Sequence, residues 1–199
     1  MTNGAPLRTG IIGFGLAGRV FHAPFLATNP AFTIAAIATS DPGRAAQAAA
    51  AHPDAAIMST DALLQRAGDL DLVVLASPPH VHRAQAVAAL EAGAIIAAAE
   101  AAQRPLTVFQ NRRWDGDFRT VRTLVESGAL GTVHRFESTF ERFGAPRQGT
   151  WQGQISPAQG GGILFDLGSH LIDQALTLFG PATLEAAELR AVRDGLGSE

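Results

Sequence analysis

The chain has 199 residues, 47% of them hydrophobic, and a formal charge of -3, which supplies a packed core and gives no electrostatic footprint for nucleic acid or a membrane surface. It contains no cysteine and no tyrosine, and all fifteen of its Lys+Arg residues are arginine; this excludes a disulfide framework, a thiolate metal site, thiolate-dependent aldehyde oxidation and the Tyr-x-x-x-Lys chemistry of short-chain dehydrogenases. No apolar run approaches membrane-spanning length and residues 1–10 lack an apolar signal core, so a cytoplasmic protein is expected.

Leu7 to Ile12 reads as a first strand. It runs directly into Gly13-Phe14-Gly15-Leu16-Ala17-Gly18, a complete G-x-G-x-x-G, followed by a helix from Leu16 to about Thr28. In that setting Gly13 permits a tight turn, Gly15 lets backbone approach a pyrophosphate, and Gly18 lets the helix close onto the strand with its N–H groups facing the anion. A second strand is expected over Phe32 to Ala38, a helix over Pro42 to Ala51 capped by Asp41, a short strand at Ala56 to Met58, and a helix from Thr60. Asp71 to Ala76 reads as a buried parallel strand that ends in the Ser77-Pro78-Pro79-His80 loop, on the carboxyl edge where open α/β sheets bind ligands.

The βα rhythm then breaks. Val81 to Ala92 and Ala94 to Gln103 are both helix-like, separated only by Gly93, where a parallel sheet requires a strand. The next strand, Leu106 to Gln110, is expected to slide beside Asp71 to Ala76 through a right-handed crossover, since a vacant slot would orphan backbone ladder groups. Phe118 to Ser127 reads as an amphipathic helix, Thr132 to Phe143 as a long strand, and Ile163 to Phe179 as a helix after Gly160-Gly161-Gly162. Leu184 to Val192 suits a strand, or a helix on propensity alone. The fold class is α/β: a Rossmann-type doubly wound parallel sheet over residues 1–110, then a partial α+β domain over 111–199.

The tip of the second strand speaks to cofactor choice. An acidic residue there would bind the ribose hydroxyls of NAD; here the residues are Ala38-Thr39-Ser40-Asp41, and Thr39, Ser40 and Arg44 suit a 2′-phosphate, which favours NADP over NAD. A Rossmann methyltransferase would need an acid at that tip. The alternative for Asp41 and Arg44 is a helix cap and a solvated charge.

Four segments, in order, resemble the Gfo/Idh/MocA oxidoreductase family: Gly13 to Gly18, Ser77-Pro78-Pro79-His80-Val81-His82, Asn111-Arg112-Arg113-Trp114-Asp115, and Gly160 to Asp173. Val108 to Phe118 and Phe136-Glu137-Ser138 are most similar to its NADP-dependent scyllo-inositol dehydrogenase-like branch. The resemblance implies hydride transfer between a nicotinamide and a sugar or polyol hydroxyl, with an open C-terminal sheet that allows a homo-oligomer. It implies cofactor contacts from Gly13, Phe14, Gly15, Leu16, Ala17, Gly18, Ser77, Pro78, His82 and Arg113. Asp166 and His170 are implied at the substrate, the carboxylate orienting an imidazole that takes the hydroxyl proton; on residues alone they also read as a helix-start acid and a half-buried histidine. A metal held by Asp166, His170 and Asp173 is conceivable on spacing, but a polar helix face is the simpler reading and no metal is expected.

The pattern departs from the family in places. Pro79 stands where asparagine is common, and Trp151-Gln152 where Trp-Arg is usual. The family's Glu-Lys-Pro strand and part of the next helix, roughly 15 to 20 residues on ordinary element lengths, have no counterpart after Gly93, and most of the substrate-domain sheet is absent too. Two functions follow: an NADP-linked polyol oxidoreductase, or a shortened, catalytically impaired relative that at most binds NADP(H).

Overall fold

A computed structural model of the chain describes residues 5–78, 81, 82, 84, 85, 103–141 and 162–188. The chain divides into two compact units, Met1–Leu106 and Thr107–Glu199.

The first unit is built on a parallel sheet of β1 (Leu7–Ile12), β2 (Phe32–Ala38), β3 (Ala56–Met58) and β4 (Leu72–Leu75), in the order β3-β2-β1-β4. The direction of winding reverses at β1, with β2 on one side and β4 on the other. Neighbouring residues of each strand point to opposite faces, and both faces are apolar, as a covered parallel sheet requires. Ile11, Ile34 and Ile37 face Ala23 and Ala48; Ile12, Ala36 and Ala38 face Leu63. Hence α1 (Ala23–Thr28) and α2 (Pro42–Ala51) lie on one face and α3 (Thr60–Gln65) on the other.

Local chemistry sets the helix starts. Asp41 accepts from the Arg44 N–H at 2.8 Å and Ser59 from the Ala62 N–H at 3.2 Å, each satisfying a donor that the first turn leaves open, and Pro42 opens α2 with its φ already helical. At the amino edge, Asp71 ties β4 to β1: its Oδ2 accepts from the Arg8 N–H at 2.9 Å and from Arg8 Nε at 3.3 Å. The Arg8 N–H and guanidinium together hold the Asp71 carboxyl below its ordinary pKa.

In the second unit a short 3-10 turn, Asn111–Trp114, precedes α4 (Gly116–Glu126), and α5 (Ser169–Phe179) follows a π-wound stretch, Leu164–Gly168. A second π stretch, Ala17–His22, leads into α1 in the first unit; the Ala23 N–H reaches back to Gly18 O there, as the Ser169 N–H does to Leu164 O.

Three expectations require correction. Leu106 to Gln110 is not a strand and does not extend the sheet: the Gln110 N–H closes a tight turn onto Val108 O at 3.1 Å and Gln110 O accepts from the Arg113 N–H at 3.1 Å. Its backbone is committed to consecutive local turns, and Val108 is 74% exposed. Residues 132–141 of the expected Thr132 to Phe143 strand form no ladder, since no neighbouring strand stands beside them among the described residues. Residues 184–188 are neither strand nor helix. The helices expected over Val81 to Ala92 and Ala94 to Gln103, together with their crossover, lie largely outside the described residues, although Val81 and His82 are helical.

Candidate functional site

The carboxyl ends of β1, β2 and β4 converge on the glycine turn. The Gly13 N–H continues the β1–β2 ladder to Ala38 O at 2.8 Å, and the Ala76 N–H continues the β4 ladder to Ile12 O at 2.8 Å. The turn therefore lies between Thr39-Ser40 and Ser77-Pro78, at the place where strand order reverses, which is where open α/β sheets form a ligand crevice.

The three glycines of the motif differ in what requires them. Gly13 has φ +99°, and a Cβ on it would sit 2.7 Å from the Ala76 carbonyl carbon and oxygen. A Cβ on Gly18 would sit 2.0 Å from Gly13 O, so the helix start could not close on the strand. Gly15 is different. A Cβ there would meet a single group, Arg44 Nη1 at 3.7 Å. Folding does not demand glycine at that position, and the space beside it belongs to whatever approaches the turn.

Arg44 is the third residue of α2 and its guanidinium has no acceptor among the described residues. Asp41 is occupied as the cap of α2, so no free carboxylate stands at the tip of β2; Thr39 Oγ1 accepts from the Asp41 N–H at 3.4 Å and Ser40 is exposed. Leu16 is 65% exposed, whereas the Phe14 side chain is 2% exposed and packs edge-on to His52 at 5.9 Å, so only the Phe14 backbone faces outward chemistry. Ala17 is half-buried in the π stretch. At the end of β4, Ser77 Oγ bonds Gln85 Oε1 and Ser77 O contacts His82 Nε2 at 2.5 Å, which ties the Ser77-Pro78 turn to the helical residues after it. Arg19, which follows Gly18, donates to Gln47 Oε1 on α2 at 3.2 Å, a link that sequence spacing does not reveal.

In the second unit, Asp166 lies in the π stretch and His170 in the first turn of α5. His170 Nδ1 is buried and has no hydrogen-bond partner among the described residues. Burial, assisted by the Arg112 guanidinium, holds the imidazole below its ordinary pKa against the opposing pull of Asp166, Asp173 and Asp115. Arg112 donates to Asp115 Oδ2 at 2.9 Å and stacks 4.9 Å from the Phe140 ring centre. Arg113 grips Asp173 in a bidentate pair: its Nε and Nη2 donate to Asp173 Oδ2 and Oδ1 at 2.7 and 2.6 Å. A cleft of about 260 Å³ opens beside α5, lined by Arg112, Asp115, Ser138, Phe140, Leu171 and Gln174. Asp166, His170 and Asp173 do not assemble into a metal site among the described residues. The Arg113–Asp173 and Arg112–Gln174 partnerships join residues about sixty positions apart, which sequence spacing does not reveal.

Residues 7–100 match a family model described as the oxidoreductase family with an NAD-binding Rossmann fold, and residues 118–199 match the GFO/IDH/MocA C-terminal domain. The chain belongs to the Gfo/Idh/MocA oxidoreductase family. Among its relatives, an uncharacterized oxidoreductase of Escherichia coli (strain K12), YdgJ, is 37% identical over 96% of this chain and 59% of its own length. The scyllo-inositol 2-dehydrogenase (NADP(+)) IolW of Bacillus subtilis (strain 168) is 30% identical over 94% of this chain and 56% of its own. The solved structure of the oxidoreductase yvaA from Bacillus subtilis superposes with a TM-score of 0.75 and 30% identity, covering 88% of this chain and 53% of that one. The chain thus spans little more than half the length of the Gfo/Idh/MocA relatives it matches.

Proposed function

We propose that this chain binds NADP(H) on the Gly13–Gly18 turn and moves hydride between it and a hydroxyl of a sugar or polyol, inositol-like in class. The observation that carries the cofactor reading is the open side of Gly15, faced by an Arg44 guanidinium that has no acceptor among the described residues. That combination suits a phosphate: backbone N–H groups at the helix start, space for close approach, and a planar cation beside it. The absence of a free carboxylate at the tip of β2 favours a 2′-phosphate over bare ribose hydroxyls, as the name of IolW does for that relative.

When bound, the nicotinamide supplies the hydride acceptor. The chain's own part is the proton. Its pKa held low by burial, His170 accepts the substrate hydroxyl proton; the burial of Nδ1 supports Nε2 as the nitrogen that takes it. Asp166, four residues earlier on the same helical face, orients and stabilises the imidazolium that results. Ser77, Pro78 and His82 shape the cofactor side at β4, and Arg113 acts through α5.

A second reading, cofactor binding without efficient turnover, is favoured by one fact: the chain has no lysine, and the resemblance implies a lysine working with the aspartate and histidine. Losing one positioned acid–base group commonly costs about 10²- to 10⁴-fold in rate.

The test is fluorescence titration of the purified chain with NADPH and NADH, followed by turnover with scyllo-inositol. Saturable NADPH binding, weakened about tenfold or more by Arg44→Ala while NADH binding is unchanged, supports the cofactor reading; no binding by the folded wild type overturns it. Turnover abolished in His170→Ala supports the reaction, and NADPH binding with no turnover selects the second reading.

A further inference from the structure

We infer that Arg113 and Asp173 form a positioning pair for His170, their bidentate contact fixing α5 on the Asn111–Trp114 turn and keeping the Asp173 carboxylate committed away from the imidazole. This rests on His170 being the proton acceptor proposed above.

Asp173 lies three residues beyond His170, so the two side chains are neighbours on one helical face, about 5–6 Å apart at Cβ. A free carboxylate at that distance would draw a proton onto the imidazole and offer it a hydrogen-bond acceptor. Neither carboxylate oxygen is free: Oδ2 and Oδ1 each accept one guanidinium donor of Arg113, in the fork geometry that only arginine provides. His170 Nδ1 is buried without a hydrogen-bond partner among the described residues. The grip is double, because the Gln174 side chain donates to the backbone oxygen of Arg112 at 3.1 Å. Two consecutive residues of α5 are thus held by two consecutive residues of the turn, and the helix cannot rotate without breaking both contacts.

The Arg112 guanidinium does not join this clamp; it is bound to Asp115 and Phe140. Among the described residues of this unit the charged groups that act on His170 are Arg112, Asp166, Asp173 and Asp115. Asp173 is held by a guanidinium sixty positions away, and its side chain is only 15% exposed, so solvent screens it little.

The test is an NMR titration of the histidine ring protons in the full chain, with the His170 resonance assigned by its loss in His170→Gln. Arg113→Met releases the carboxylate and raises the His170 pKa by about half a unit or more. Asp173→Asn removes the carboxylate, leaves the Arg113 charge unpaired, and lowers it below wild type. Unfolding would carry the value up toward that of a free histidine, so a downward shift in Asp173→Asn marks a folded-state effect. Arg113→Lys, which keeps the charge, stays near wild type, and the Arg113→Met/Asp173→Asn double variant falls between the single ones.

An unchanged His170 pKa in both single variants, or shifts of the same sign, overturns the inference. These readings need no turnover. A chain that oxidises no polyol but shows the opposed shifts retains the pair and loses the proposed reaction; a chain that turns over substrate with an indifferent His170 loses only the pair.

Discussion

Arg44 Nη1 stands 3.7 Å from the point that a Cβ on Gly15 would occupy, whereas a Cβ on Gly18 would fall 2.0 Å from the Gly13 carbonyl oxygen. Two glycines of one motif are therefore present for different reasons. Gly18 is required by the closure of helix on strand, and Gly15 is spare as far as the polypeptide is concerned.

The contrast gives a paired prediction. Gly15→Ala should melt within a degree or two of wild type, since its new methyl group meets only the mobile end of an arginine, yet bind NADPH more weakly. Gly18→Ala should lose at least about 2 kcal/mol, because the clash is with backbone and forces the turn apart. Thermal denaturation alongside cofactor titration separates the two. Equal destabilisation by both substitutions would refute the distinction.

Asp41 accepts the Arg44 N–H at 2.8 Å and so sets the first turn of the helix that carries the Arg44 side chain. Asp41→Ala should cost about 1 kcal/mol, the usual loss for a cap, and weaken NADPH binding in parallel because Arg44 is no longer held in place. Asp41→Asn, which can still cap, should restore both. Denaturant melts and titrations of the two variants check this.

Phe14 is inside a motif read as cofactor-binding, yet its ring is 2% exposed and lies in the core with Ile11, Ala23 and Ile37. Phe14→Ala should therefore destabilise the chain by about 3–5 kcal/mol, whereas Phe14→Leu should cost far less and leave NADPH affinity near wild type. Urea denaturation measures the first difference and a binding titration the second.

Two imidazoles, His22 and His170, are held below 6.5 in the folded chain, chiefly by burial. Below that value the unfolded chain binds more protons than the folded one, so their contribution to stability is present above pH 6.5 and is lost as pH falls through the folded values. Asp71, whose carboxyl is depressed from 3.8 by Arg8, adds a second loss in more acid solution. Melting temperature should be flat above neutrality and decline below about pH 6.5, and His170→Gln should flatten part of that decline. A melting temperature that rises on acidification would contradict the assignment.

The first unit was legible because its signals are local. Runs such as Phe32–Ala38 are apolar on both faces and rich in strand-forming residues, and Asp41-Pro42 marks a helix start by cap and fixed φ alone. Leu106 to Gln110 carries a similar strand-like composition, but a strand is a relationship with a neighbour rather than a property of five residues, and here the backbone closes on itself at Val108 and Gln110. Residues 132–141 show the same limit. In the site, the chemical residue types were readable from motif and resemblance. The partners that tune them were not: Asp173 lies 60 positions from Arg113, and Gln174 lies 62 from Arg112.

Both helices that carry the proposed chemistry begin with a widened winding, Ala17–His22 before α1 and Leu164–Gly168 before α5. A π turn holds one residue more than the α path it replaces. Removing one residue from either stretch should leave a continuous ordinary helix and swing everything before it by about one residue's rotation, some 100°. In the first unit that would turn Gly18 away from Gly13; in the second it would part Asp166 from His170. The chain's length is thus constrained to the single residue at the starts of α1 and α5.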